Sequence, residues 1–281
     1  MNRFAISVGD NCIDNYLPPI DRIFVGGNAV NVAIHLQRAG IPAAYMGAVG
    51  DDRAGHFIME VLDRQGLDIS HVQILSGKTA RTDIRLGPQG DREFVFEDLG
   101  VTNQLYLSEE LIEFIAQHDL VHNTWLGRSE IALPRYKQNP GLVVSMDYGE
   151  RCPVEFINET VQYVDLAFFS LTETKAEQAE ELILSFCERG PRIIVVTLGA
   201  KGSLAYDGRF HFEPALPVTV IDTLGAGDTY IGIFLANWLN GVVIQECMRR
   251  ASRAAAETCS HYGGWISLGK ESIQNPLKSG E

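Results

Sequence analysis

Lysine is scarce in this chain: six among 281 residues, none of them in a GxxxxGK[ST] phosphate loop. A GxGxxG dinucleotide fingerprint is missing as well, so neither of the two commonest nucleotide motifs is present. Positive charge is in deficit. Against 36 acidic side chains stand 23 basic ones, a formal net charge of −13, which argues against nucleic acid and anionic lipid surfaces as partners. A small anionic ligand responds to local charge and stays allowed. Cysteine is sparse, five residues with no CxxC pair, so neither a disulfide framework nor a zinc signature is expected; free thiols fit a reducing cytosol. No metal cage is expected of the seven histidines. No apolar run approaches the roughly 18 residues of a membrane helix, and Asp10 and Asp14 interrupt any signal-peptide-like start. The expectation is a cytoplasmic protein that does not touch the membrane.

The chain does contain alternating strand and helix patterns. Residues 4–8 read as a buried strand, 29–38 as a helix closed by Gly40, 42–49 as a second strand and 56–65 as a second helix stopped by Gly66. That rhythm predicts a parallel sheet covered by helices. The middle breaks it. Residues 79–86 and 92–97 alternate around Gly87, Pro88 and Gly90, predicting a hairpin that joins residues 12–25 in a small flap. The α/β rhythm then resumes, with strands at 119–124, 141–147, 164–170 and 193–198, helices at 111–117, 175–188, 229–239 and 244–260, and a meander at 203–213. Residues 269–281 read as a loose tail. Without repeats or linkers, one domain over 1–281 is expected, with its lid at about 12–25 and 78–100.

Three segments carry chemistry. VIDTLGAGDTY (220–230) runs from a strand through Gly225-Ala226-Gly227 into a helix opened by Asp228. Free N–H groups at a helix start hold anions, and a carboxylate beside them can deprotonate an alcohol, which is the division of labour that phosphoryl transfer needs. A plain Gly-rich turn with an Asp cap has the same local pattern. GGNAVN (26–31) gives close backbone approach at a helix start, with Asn31 offering a donor and an acceptor to a polyhydroxy ligand; a helix simply capped by Asn28 is the alternative. VTLGAKGS (196–203) fits a nucleotide phosphate or ribose, or an ordinary strand-to-loop turn.

Together these segments resemble the ribokinase-like, or PfkB, family of sugar kinases. Residues 26–40 are similar to its N-terminal signature and 222–228 to its DTxGAGD signature. The resemblance implies a ribokinase-like three-layer αβα sandwich, a mostly parallel sheet with a small β-sheet lid that also forms a homodimer contact. It implies ATP and Mg²⁺, with a monovalent cation such as K⁺ near Asp222. Asp228 is implied as catalytic base; Gly225, Ala226 and Gly227 as the anion hole; Asp14, Gly27 and Asn31 as sugar-binding residues; Thr197, Gly199 and Gly202 as the nucleotide loop. Asp10 and Arg92 are further candidates for substrate contact, and His122, Trp125 and Arg128 are expected near it. Glu173 matches the glutamate of an NxxE motif that acts through water on Mg²⁺, but Ser170 replaces the Asn. GDNCIDNY, GLDISHV and HYGGW resemble those members that phosphorylate Amadori products, fructose joined to an amino-acid nitrogen. A kinase for another sugar or a nucleoside, and a non-catalytic sugar-binding protein, are the rival readings.

Overall fold

The computed structural model describes residues 3–87, 92–266 and 276–277. In chain order the elements are β1 (Ala5–Val8), β2 (Cys12–Tyr16), β3 (Arg22–Gly26), α1 (Asn28–Arg38), β4 (Ala43–Met46), β5 (Ala48–Gly50), α2 (Arg53–Arg64) and β6 (Gln73–Leu75). There follow β7 (Arg81–Leu86), β8 (Arg92–Asp98), α3 (Glu109–Ile115), β9 (Leu120–Thr124), α4 (Leu133–Tyr136), β10 (Val143–Gly149), α5 (Val154–Thr160) and β11 (Leu166–Ser170). Last come α6 (Ala179–Phe186), β12 (Ile193–Thr197), β13 (Ser203–Tyr206), β14 (Phe210–Glu213), α7 (Ala226–Leu239) and α8 (Ile244–Thr258).

Eight strands form the large sheet in the order β14-β13-β12-β11-β10-β9-β1-β4. Pairing is parallel from β4 to β12 and antiparallel for β13 and β14. The apolar runs of its strands are continuous because both faces are covered. Alternate residues part company: Leu166, Phe168, Ile193 and Val195 join the core under α1, α7 and α8, while Ala167, Phe169, Ile194 and Val196 join the core under α3–α6. The result is the expected αβα sandwich.

A second, smaller sheet, β3-β2-β7-β8, forms from the segments expected to make the lid. The turn predicted at Pro88 and Gly90, and most of the tail predicted at 269–281, lie outside the described residues.

Several expected boundaries move by two or three residues, among them the start of α2 at Arg53 and of α3 at Glu109; three changes bear on the architecture. The strand predicted at 42–49 splits at Gly47: β4 stays in the large sheet, whereas β5 pairs with β6 in a separate two-stranded sheet. A Cβ at Gly47 would lie 2.0 Å from Tyr45 Oη and 2.6 Å from the Gly9 carbonyl, so the chain turns where a Tyr45 hydroxyl crosses it. The helix predicted at 175–188 starts as a 3₁₀ turn over 173–178 and becomes α only at Ala179. The helix predicted from 229 begins three residues earlier, at Ala226.

His118 and His122 are four residues apart, but one follows a helix and the other sits inside β9, so they share no helical face. Among the described residues, no group of three or more His, Cys, Asp or Glu is arranged to hold a metal ion, and no helix is long and apolar enough to cross a membrane.

Candidate active site

Strand order reverses between β1 and β9: one connection leads out to β4, the other across to β12. A cleft at the carboxyl ends of strands is the expected product of such a reversal. It is there, about 530 Å³ in volume, floored by Asp10 after β1, Trp125 after β9, Asp147 at the end of β10 and Thr197 at the end of β12, and roofed by the lid.

Asp228 lies in the first turn of α7, 8% exposed, and faces this cleft. Its Oδ2 accepts a 2.7 Å hydrogen bond from Asn31 Nδ2. Burial pushes its carboxyl up to about 8; the Asn31 bond pulls the other way, and Asp147 and Asp10 add to the rise. The loop before it turns through Gly225 in the left-handed region (φ 73°), where a Cβ would meet the Gly264 Cα at 2.4 Å. The first N–H groups of α7 have no partner within the helix, and a Cβ at Gly227 would enter open space. That cradle fits a phosphate group.

The sequence-predicted residues fall into three groups. Asp14, Gly27, Asn31, Arg92, Thr197, Gly225, Gly227 and Asp228 do line the cleft. Asp14 is buried and pushed up to about 7, chiefly by burial, while a hydrogen bond from Cys12 Sγ (3.2 Å) opposes the rise. Gly27 (φ 107°) would place a Cβ 2.5 Å from Asn11 Cα. Arg92 spans from the lid to Thr223 Oγ1 (3.1 Å), tying the roof to the loop that precedes Asp228.

Asp10 also lines the cleft, yet its oxygens are engaged by protein donors: Asn28 N at 2.7 Å, Thr124 Oγ1 at 2.6 Å and Ala29 N at 3.4 Å. It caps α1 from the loop after β1; Gly27, not Asn28, is the cap residue of that helix.

Gly199, Gly202, Glu173, Ala226 and Asp222 are off the cleft lining. Gly199 and Gly202 hold the turn after β12 (φ 58° and 104°), and Glu173 Oε1 accepts from Ala200 N at 3.2 Å beside it. Ser170, standing where the resemblance implies Asn, pairs with Thr197 Oγ1 at 2.9 Å. Asp222 is fully buried and accepts from Tyr16 Oη, Leu224 N (2.9 Å) and Gly263 N (3.0 Å), which locks lid strand β2 to the body.

Of the residues expected near substrate, Trp125 lines the cleft. His122 does not. It is buried inside the sheet against Ser145 Oγ (3.0 Å), and burial lowers it to about 3. Arg128 is exposed and donates to the Asn103 carbonyl. Sequence reasoning missed Asp147, buried in the cleft and pushed up to about 7 by burial; a lone Asp ending an apolar strand after Met146 is the only trace it leaves. It also missed Trp265, whose indole N–H donates to Asn31 Oδ1 at 3.0 Å.

Residues 21–270 match the pfkB family of carbohydrate kinases. The chain is 37% identical over 262 residues to a fructoselysine 6-kinase of Shigella flexneri, covering 92% of this chain and 98% of that one. It is 33% identical to a fructosamine kinase, FrlD, of Bacillus subtilis, covering 92% of each. A ribokinase of Arabidopsis thaliana, solved with ribose and ATP, superposes with a TM-score of 0.79 at 22% identity, over 94% of each chain.

Proposed function

The chain belongs to the pfkB family of carbohydrate kinases and is an ATP-dependent kinase; from that premise we propose that it phosphorylates the 6-hydroxyl of fructoselysine or a similar fructose–amino acid adduct. The observation that carries the chemistry is Asp228, buried in the cleft beside an open helix start. The substrate class rests on two relatives matched along nearly their whole lengths.

Asp228 is the base in this reading. It takes the proton of the attacking hydroxyl, and its burial makes the resulting neutral acid the favoured product of that transfer. The backbone around Gly225, Ala226 and Gly227 receives charge from the transferring phosphoryl group. Asn31 holds Asp228 through one N–H and has a second N–H for the sugar. Asp14 and the bare backbone of Gly27 contact sugar hydroxyls. Asp10 supports the site from beneath by fixing α1, and Arg92 holds the lid down. Thr197, Gly199 and Gly202 border the nucleotide.

Mg²⁺ fits the donor set because it keeps most of its waters and binds through phosphates plus a carboxylate or two; Glu173, beside the nucleotide turn, is the carboxylate to reach it through water. When bound it offsets phosphate charge. A monovalent cation such as K⁺ would lie near Asp222, on carbonyls alone, since the Asp222 side chain is engaged. A homodimer is proposed through the lid, supported by the exposed Val95 and Phe96 on β8. The five free cysteines support a reducing, cytoplasmic setting.

ADP release measured across fructoselysine, fructose-asparagine, fructose, ribose and adenosine tests the assignment. The expected result is the highest kcat/KM on a fructose–amino acid adduct, with NMR placing the phosphate on O6. A preference for ribose or adenosine would overturn it.

A further inference from the structure

Chemically, the cleft has two halves. Asp228 shares the cleft with Asp10, Asp14, Asn31, Asp147 and the backbone of Gly27 and Gly225, groups that suit a polyol. The lid sheet and the loop after β10 add Phe94, Leu99, Glu97, Asp98, Glu150 and Arg151, with Trp125 from just past the end of β9. Only the first half is used by the phosphoryl-transfer chemistry described above.

A β-bulge produces the outer half. Ile84 pairs with Phe94 and Asp83 with Phe96, so Val95 is an extra residue in β8. In a regular strand Arg92, Phe94, Phe96 and Asp98 would share one face. The extra residue flips the parity, turning Phe96 outward to sit under the Arg81 guanidinium and bringing Glu97 into the cleft alongside Phe94. From the opposite wall, the loop after β10 extends Arg151 over the Phe94 ring (5.6 Å), and its Nη1 lies 3.7 Å from Glu97 Oε2. Both side chains are about half exposed or more, 64% and 47%. A pair that long and that wet is worth little and is readily exchanged for a ligand.

We infer that this outer half is a recognition site for the free α-amino-acid end of the substrate. The Arg151 guanidinium takes the α-carboxylate as a planar two-point donor, Glu97 takes the α-ammonium, and Phe94, Leu99 and Trp125 flank the aliphatic spacer. A ligand with a polyol head, an apolar neck and a zwitterionic tail matches the kinds of surface that line the cleft. The inference rests on the fructose–amino acid reading above and adds which residues read the amino acid.

The test compares fructoselysine with the adduct of fructose and pentylamine, which has the same neck and no α-amino or α-carboxyl group. Wild-type enzyme should favour fructoselysine at least tenfold in kcat/KM. Arg151→Met and Glu97→Gln should each shrink that ratio at least fivefold, mainly through KM. If wild type prefers fructoselysine but both variants keep its full ratio, the recognition site is overturned while the function stands. If wild type turns over neither adduct better than fructose, both readings fall together. Thermal melting confirms folding of the variants, and Arg151→Lys, keeping charge without the fork, should restore part of the ratio.

Discussion

Asp228 is the proposed base, and two neighbours set how its carboxyl group behaves. Asn31 donates to it and in turn accepts from Trp265. An amide can present either end; the indole N–H requires the oxygen on its own side, which turns the NH₂ group to Asp228. Replacing Asp228 by Asn should lower kcat by about 10²–10⁴-fold with the fold intact, checked by steady-state kinetics and circular dichroism. Trp265→Phe keeps the ring and removes the donor. The expected outcome is a several-fold loss in kcat with little change in KM, and an upward shift of the acidic inflection, because a bond that favours the ionised carboxylate is loosened. An unchanged pH profile would refute this positioning role. In wild type, kcat/KM should climb as pH rises toward about 8, well above an ordinary carboxylate, since the base must be ionised to accept a proton.

At the scale of elements, the start of α7 is held by backbone contact that a side chain would prevent. Gly225 combines φ 73° with a Gly264 Cα only 2.4 Å from where its Cβ would be. Below it, Thr229 Oγ1 donates to the Gly225 carbonyl (2.9 Å) and lies 2.8 Å from His35 Nε2, while burial lowers His35 to about 4 and keeps it neutral. Gly225→Ala should cost about 1–3 kcal/mol from backbone strain alone, with the overlap added, and should lower the denaturation midpoint. In the lid the Val95 bulge has a comparable effect on direction. Deleting Val95 removes the extra residue and leaves Phe94, Phe96 and Glu97 consecutive, with Glu97 still opposite Thr82 on the cleft face, so the preference for a zwitterionic substrate should be kept without touching Asp228; kcat/KM on the two adducts reads this directly.

For the whole molecule, the buried carboxyls make stability depend on pH. Asp14, Asp147 and Asp228 titrate at about 7, 7 and 8 in the folded protein, against 3.8 for an unperturbed aspartate. A folded value above the unfolded one means protons are bound more tightly by the native state, so their stabilising effect is complete below about 4 and is lost as pH rises through 7 to 8. The melting temperature of the substrate-free protein should therefore fall between pH 5 and pH 8.5. Asp228→Asn should flatten the upper part of that fall. A melting temperature that rises across the window in wild type and variant alike would contradict the assignment.

How much of this was legible beforehand differs by element. The strands at 164–170 and 193–198 were readable because a sheet buried on both faces demands unbroken apolar runs, and the GAGD helix start was readable because a tight left-handed turn demands glycine. The split at Gly47 was not, since β5 leaves the large sheet to pair with β6, a partner at residues 73–75 that no local pattern announces. The role of Asp10 was misread in part: its position after a strand is local information, but its partners at Asn28 and Thr124 come from elsewhere in the sequence. His122, expected near the substrate, proved to be an interior residue, because it sits in the middle of β9 whereas the cleft opens past the end of that strand, at Trp125.

Local pattern, by itself, determined the α/β class and the segment that carries the proposed base, since periodicity and glycine placement are properties of neighbouring residues. Tertiary structure alone decided which carboxyls meet in the cleft, that Trp265 orients Asn31 across 234 positions, and that a one-residue bulge aims Glu97 at Arg151. Burial and charge coupling arise only when distant segments pack, and no stretch of sequence contains both partners.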